Sequence, residues 1–240
     1  MRIPLIPDNV HSSWFDFLSR ERLEMIKDIS CRIGEDVNPE YNNILRFLNV
    51  DLLNIKVVVL GQDPYPEKGT ATGRAFEVGG LKSWDQPFRQ VSLKNIIRLV
   101  YKSYNNITRY EDILSFTEIK KEIKEGRFPI LPPDKLFESW EKQGVLLLNT
   151  SFSCIPNSPQ SHALIWQDFT RELIGYISER FELCWFLWGK HAISLKPVIN
   201  RGTFFVSRHP MLCSSKYDDD FLKSDCIDKT RHIINWLGTA

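Results

Sequence analysis

The residues of this chain best suited to chemistry stand at the ends of apolar runs. Val57-Val58-Val59-Leu60 stops at Gly61, and Gln62, Asp63 and the stiff turn Pro64-Tyr65-Pro66 follow. Val145-Leu146-Leu147-Leu148 stops at Asn149, the run from Leu183 to Trp188 stops at Gly189-Lys190, and Thr203 to Ser207 leads into Arg208-His209-Pro210. A carboxylate can stabilise a developing cation or orient a water. An amide reads a polar edge with both a donor and an acceptor, and an imidazole can donate to a developing anion. Singly, each has a structural explanation. Asp63 and Asn149 suit turns and caps, His209 precedes a proline, and Tyr65 and Phe76 are ordinary core aromatics. That explanation does not stretch to four separate segments delivering such residues to one rim.

The elements that would position them follow from the pattern. Continuous apolar runs alternating with helical periodicity predict an α/β fold, a single domain with a central four-stranded parallel sheet flanked by helices on both faces. In such sheets ligands bind beyond the carboxyl ends of the strands. The spacing predicts a helix from Trp14 to about Ile33, capped by Ser12 or Ser13, and a short helix within about 40–49. Further helices are expected from Ser92 to Tyr104, over about 134–143 up to Gly144, over 164–181, over 190–198 and, closing the chain, over about 217–237. Residues 1–12 read as an arm. Residues 105–134, charge-rich and closing on Pro132-Pro133, read as a solvated helical insertion. No linker divides the 240 residues, a length that suits one domain over 1–240.

Composition narrows the function classes. A net charge of +1 excludes a global positive field, so any nucleic-acid site must be a local patch. The five cysteines are odd in number, widely spread and never in C-x-x-C spacing, which argues against zinc or iron–sulfur ligation, and no metal or cofactor is expected. The start of the chain lacks a long apolar stretch and nothing approaches a membrane span, so a reducing, cytoplasmic compartment and a monomer without membrane contact are expected.

Gly61-Gln62-Asp63-Pro64-Tyr65 resembles the water-activating loop of the family 1 uracil-DNA glycosylases. The resemblance extends in order along the chain. Gly144 to Thr150 is similar to that family's uracil-recognition strand, and Ser161-His162-Ala163 with Trp166 to the helix start after it. Leu187-Trp188-Gly189-Lys190-His191-Ala192 is similar to its phosphate-holding loop, and His209-Pro210 to the start of its leucine-insertion loop. It spans about residues 40–215.

The resemblance implies a metal-independent DNA N-glycosylase. Such an enzyme extrudes deoxyuridine from single- or double-stranded DNA, hydrolyses its glycosidic bond and leaves an abasic site for base excision repair. It implies that Asp63 stabilises the oxocarbenium-like sugar and orients water, and that His209 donates to O2 of the departing uracil, helped by the backbone around Gln62. Phe76 would stack on the extruded base, Asn149 would read its edge, and Tyr65 would exclude the methyl group of thymine. Ser92, Gly189, Lys190, Leu212 and Ser214 would contact DNA, with N-capping the rival role for Ser92; His162 would either support the site or cap a helix. A DNA-mimicking protein inhibitor could occupy the same rim.

Two departures stand out. Pro66 replaces the family's usual histidine. The insertion loop reads His209-Pro210-Met211-Leu212-Cys213-Ser214, which puts Cys213 at the wedge position by count and Leu212 one residue early. Either the loop is reshaped so that Leu212 enters the stack, or the wedge is weak. A DNA-binding module that has lost activity and a glycosylase of different base choice are the competing readings.

Overall fold

The computed structural model describes residues 5–238; residues 1–4 of the expected arm and the last two residues lie outside the described residues. Four parallel strands form the predicted sheet: β1 (Val57–Gly61), β2 (Val145–Asn149), β3 (Cys184–Trp188) and β4 (Thr203–Ser207), in the order β2-β1-β3-β4. Adjacent residues of a strand point to opposite faces. Val58, Leu60, Leu146, Leu148, Trp185 and Leu187 therefore enter one core layer, while Val57, Val59, Val145, Leu147, Phe186 and Trp188 enter the other. Both faces are covered, which is why these strands are apolar throughout. β4, at the edge, is less buried than the pattern predicts, and Val206 is largely exposed.

The first layer is closed by α1 (Arg20–Ile33), by α2 (Tyr41–Ile44) with the 3-10 turn after it, and by the long α6 (Ala163–Arg180). The second is closed by α3 (Val91–Tyr104), α4 (Phe116–Lys124), α5 (Pro133–Gln143) and α8 (Cys226–Thr230). α7 (Lys190–Ser194) follows β3 directly. Gly144 ends α5 at φ 103°, where any Cβ would collide with Asn54 O; this turn sends the chain straight into β2. Among the described residues no helix is long and apolar enough to cross a membrane.

Four expectations are corrected. The helix expected from Trp14 begins at Arg20, capped by Ser19, whose Oγ accepts from Arg22 N at 3.4 Å. Trp14 and Phe17 are instead buried from a 3-10 turn and the irregular chain after it, a spacing that imitates a helix. The closing helix over 217–237 is broken into the 3-10 turn Phe221–Lys223, α8 and further turns, because Asp220 caps the 3-10 turn and the Ser224-Asp225 pair opens α8 afresh. Residues 105–134 are not a solvated appendage, since Ile113, Ile119, Phe128 and Ile130 are buried in the second layer. Ser92 does not cap α3: the capping residue is Gln90, and Ser92 lies buried inside the first turn.

Candidate active site

At the end of β1, Gly61 pairs in register with Asn149, and a Cβ at Gly61 would overlap Asn149 Oδ1. Glycine here makes room for the neighbouring amide, which is buried and makes no side-chain hydrogen bond to the described residues. The chain beyond is held through its backbone. Gln62 O accepts from Ser151 N at 2.9 Å and from Thr150 Oγ1 at 3.0 Å, and Pro66 O accepts from Asn157 N at 2.9 Å. The Asn38 side-chain amide donates to Tyr65 O and, at 3.3 Å, to Glu67 O. Asn38 is in turn fixed to Cys154 by two backbone hydrogen bonds of 2.9 Å. In the sequence Asn38 is one polar residue before a proline, and nothing there marks its grip on the Asp63 loop.

Asp63 follows at once. Burial pushes its carboxyl up to about 6, outweighing the Ser151 hydroxyl and the Gln160 amide, which pull it down. Oδ1 is buried with no hydrogen-bond partner among the described residues. A buried carboxylate oxygen left unpaired is costly, and such groups concentrate where charge is needed for chemistry.

Two aromatic walls stand near it. The Tyr65 hydroxyl donates to Phe76 O at 3.5 Å, and burial holds that phenol above the usual tyrosine range, hence neutral. Phe76 adopts φ 66°, a left-handed conformation that non-glycine residues rarely occupy. Ala75 N donates to Leu147 O at 3.3 Å just before it. The Phe76 ring lies 5.5 Å from that of Trp188 and 6.1 Å from that of His209, centroid to centroid.

His209 Nδ1 accepts from Met211 N at 3.2 Å, which places the ring proton on Nε2 in the neutral form. Burial lowers its pKa below the usual 6.5, so the ring is neutral at pH 7. Gly189, at φ 95°, would bring a Cβ to within 2.9 Å of His209 Cβ, so the close approach of the two loops requires glycine. The loop after His209 is clamped from two directions. Asn95 Nδ2 donates to Pro210 O at 2.6 Å, while the buried Asp220 accepts from Ser214 N at 2.6 Å and from the Tyr110 hydroxyl at 3.1 Å. Neither Asn95 nor Asp220 was singled out in the sequence, where each is one polar residue among many.

Cys213 turns inward, its Sγ donating to Pro210 O at 3.4 Å, while Met211 and Leu212 are 55% and 60% exposed. Met211 and Leu212 are therefore the exposed apolar residues of this loop, and Cys213 is not. Lys190 is exposed at the start of α7, and Ser214 is half-buried. His162 stands at the N-cap position of α6 but its side chain makes no cap hydrogen bond; its Nδ1 shares a 2.9 Å hydrogen bond with Ser153 Oγ, to which Trp166 Nε1 donates at 2.8 Å. Two openings reach the centre of the rim. One, of about 280 Å³, is lined by Asp63, Ser151, Arg171 and His191 among others; the second, of about 300 Å³, runs past Gly189, Lys190 and His209. Gln62 and His191 line both. Among the described residues no group of three or more His, Cys, Asp or Glu side chains is arranged to hold a metal ion.

Comparison with known proteins identifies the family and the fold. Residues 48–231 match the family described as the uracil DNA glycosylase superfamily. A uracil-DNA glycosylase of Blochmanniella floridana is 30% identical over 244 residues, covering 93% of this chain and 97% of the relative. One from human herpesvirus 6A is 33% identical over 216 residues, covering 84% and 72%. Among solved structures, mimivirus uracil-DNA glycosylase superposes with a TM-score of 0.64 at 26% identity, covering 88% of this chain and 71% of that one. A variant of the mimivirus protein in complex with UGI gives 0.63 at 25% identity, covering 88% and 72%. An UNG from Nitratifractor salsuginis shares the fold at a TM-score of 0.70 and 20% identity, covering 97% and 94%. With the parallel sheet, the rim it presents and a family match over most of its length, this chain belongs to the uracil-DNA glycosylase superfamily.

Proposed function

We propose that this chain hydrolyses the N-glycosidic bond of deoxyuridine in DNA by the family 1 (Ung-type) route, with Asp63 and His209 as its catalytic pair. The carrying observation is the joint state of those two groups at one rim. Asp63 is a half-buried carboxylate whose Oδ1 is buried and unpartnered among the described residues, and His209 is a neutral imidazole whose Nδ1 is occupied, leaving Nε2–H as its donor.

Cleavage separates positive charge on the sugar from negative charge on the base. Ionised Asp63 opposes the first and orients the attacking water, while His209 Nε2–H, with the backbone at Gln62, meets the second at O2. A neutral donor suits a uracil anion because it gives a hydrogen bond without surrendering its proton. One such donor contributes roughly 2.7–4 kcal/mol to the transition state.

The extruded base stacks on Phe76. Asn149, which has no competing side-chain hydrogen bond among the described residues, reads the uracil edge and rejects cytosine, whose donor and acceptor are exchanged. Tyr65 blocks a methyl group at C5. Ser92, Gly189, Lys190 and Ser214 take the backbone phosphates, and Leu212 fills the gap left in the stack. The protein acts as a monomer in the cytoplasm, and a DNA-mimicking inhibitor binds the same rim; the UGI complex of the mimivirus relative supports that last reading.

The test is product analysis, with EDTA present, on single- and double-stranded oligonucleotides carrying one uracil, and on a T:G duplex. Free uracil and an alkali-labile site from both uracil substrates, with no thymine released, are expected. DNA retained without base release would favour a binding module, and thymine release would point to a glycosylase of different base choice.

A further inference from the structure

We propose that His191 and Thr150 act as a positioning relay that fixes the Gln62–Asp63 peptide, and through it the catalytic carboxylate. The inference rests on the role given to Asp63 above.

Thr150 is the first residue beyond β2, and every polar group it carries is engaged across the rim. Its N donates to Gly61 O at 3.0 Å, its O accepts from Thr170 Oγ1 at 2.7 Å, and its own Oγ1 donates to Gln62 O at 3.0 Å. A hydroxyl has one proton. Since that proton goes to Gln62 O, the 2.7 Å contact between Thr150 Oγ1 and His191 Nε2 requires His191 to donate. The relay thus runs His191 Nε2–H to Thr150 Oγ1–H to Gln62 O. It links α7 to the residue just beyond β2 and then to the residue before Asp63.

The carbonyl at its end belongs to the peptide that also contains Asp63 N–H. That unit is planar and rigid, so fixing Gln62 O sets the direction in which the chain enters Asp63. This matters because Asp63 Oδ1 has no hydrogen-bond partner among the described residues, so the Ser151 hydroxyl and the Gln160 amide hold the carboxylate only in part. The backbone must do more of the orienting than it would for a fully hydrogen-bonded acid. Ser151 N supplies a second donor to the same carbonyl at 2.9 Å, so loss of the relay should loosen the peptide without releasing it. His191 and Gln62 both line the two openings, so the relay sits where the rim is accessible. Supporting groups of this kind locate a reacting group to within a fraction of an ångström, and misplacement by about 1 Å can cost ~10²-fold in rate.

The experiment is steady-state and single-turnover uracil release by the full chain, with thermal melting as a folding control. His191→Ala should lower kcat about tenfold while KM changes less than about twofold. His191→Gln, which keeps an N–H donor at similar reach, should recover most of the loss, and Thr150→Ser should resemble wild type where Thr150→Val does not. His191→Ala with Thr150→Val should be no slower than the slower single variant, since both break one chain of bonds. Wild-type rates in folded His191→Ala, a change in KM alone, or effects of the two variants that multiply would overturn the relay. Wild type that releases no uracil would instead remove the functional reading beneath it, so the two failures are told apart. Because His191 is partly exposed, its replacement reports on the relay even if Thr150→Val does not fold.

Discussion

Acidification tests the state of Asp63. The carboxyl is pushed up to about 6 by burial, against 3.8 for an unperturbed aspartate. Turnover requires the ionised form. From that value about nine-tenths of the free protein is competent at pH 7 and about a tenth at pH 5, so kcat/KM should fall roughly tenfold over those two units. An aspartate at 3.8 would stay more than about 90% ionised at pH 5 and produce almost no change. His209, lowered by burial, takes up its proton on the acid side of 6.5, which can steepen the lower part of the limb but not remove it. The assay is kcat/KM for a short single-stranded uracil substrate between pH 5 and 8, alongside a carbon-13 titration of the Asp63 carboxyl in the free protein. A profile flat down to pH 5, with a carboxyl that titrates near 4, would refute the desolvation argument. The same shift carries a stability sign. A folded-state pKa above the unfolded one means that burying the charge costs stability in full above pH 6, and that the cost disappears below pH 3.8. Asp63→Asn should therefore raise the melting temperature at pH 7 by a few degrees, corresponding to ~1–2 kcal/mol after allowance for partial exposure. The gain should vanish near pH 4.

The remaining predictions concern selectivity and extrusion. Tyr65→Ala removes the wall tied to Phe76 O and should produce measurable thymine release from thymine-containing DNA; none would count against exclusion by shape. Asn149→Asp, if folded by circular dichroism, should begin to release cytosine while losing at least about tenfold on uracil, and a folded variant confined to uracil would undercut edge reading by the amide. Leu212→Ala should slow release from duplex at least about threefold more than from single strands, because only a duplex leaves a gap to fill. Cys213→Ala should show no such bias. The reverse pattern would return the wedge to Cys213.

The strand ends were legible in the sequence because burial on both faces leaves unbroken apolar runs, and the residue that breaks each run marks the rim. Asp63, Asn149 and His209 stand out for that reason. Sheet order was not legible, since nothing local in Val57 to Gly61 says that β2 will lie on one side and β3 on the other. The false helix start came from Phe15 and Leu18, which fall near the helical spacing of Met25, Ile26, Ile29 and Ile33, although Phe15 is exposed and Ser19 supplies the actual cap. The broken C-terminal segment hid behind Ile227, Ile234 and Trp236, all buried, the first from the short α8 and the other two from the turns and irregular chain after it. The supports of the site were least visible. Asn95 and Pro210 are 115 residues apart, and Tyr110 and Asp220 are 110 apart, so only the fold joins them. Residues 105–134 were set aside as a solvated insertion for the same reason, although Tyr110 within them steadies the loop that carries His209.

The most direct measurement compares single-turnover uracil release by wild type and Asp63→Asn on one single-stranded oligonucleotide in EDTA, together with the affinity of each for that DNA. The expected result is rapid release by wild type, a rate at least ~10²–10³-fold lower for Asp63→Asn, and affinities within a few-fold of each other. Equal release rates in two folded proteins would contradict the assignment of Asp63 as the group that carries the reaction.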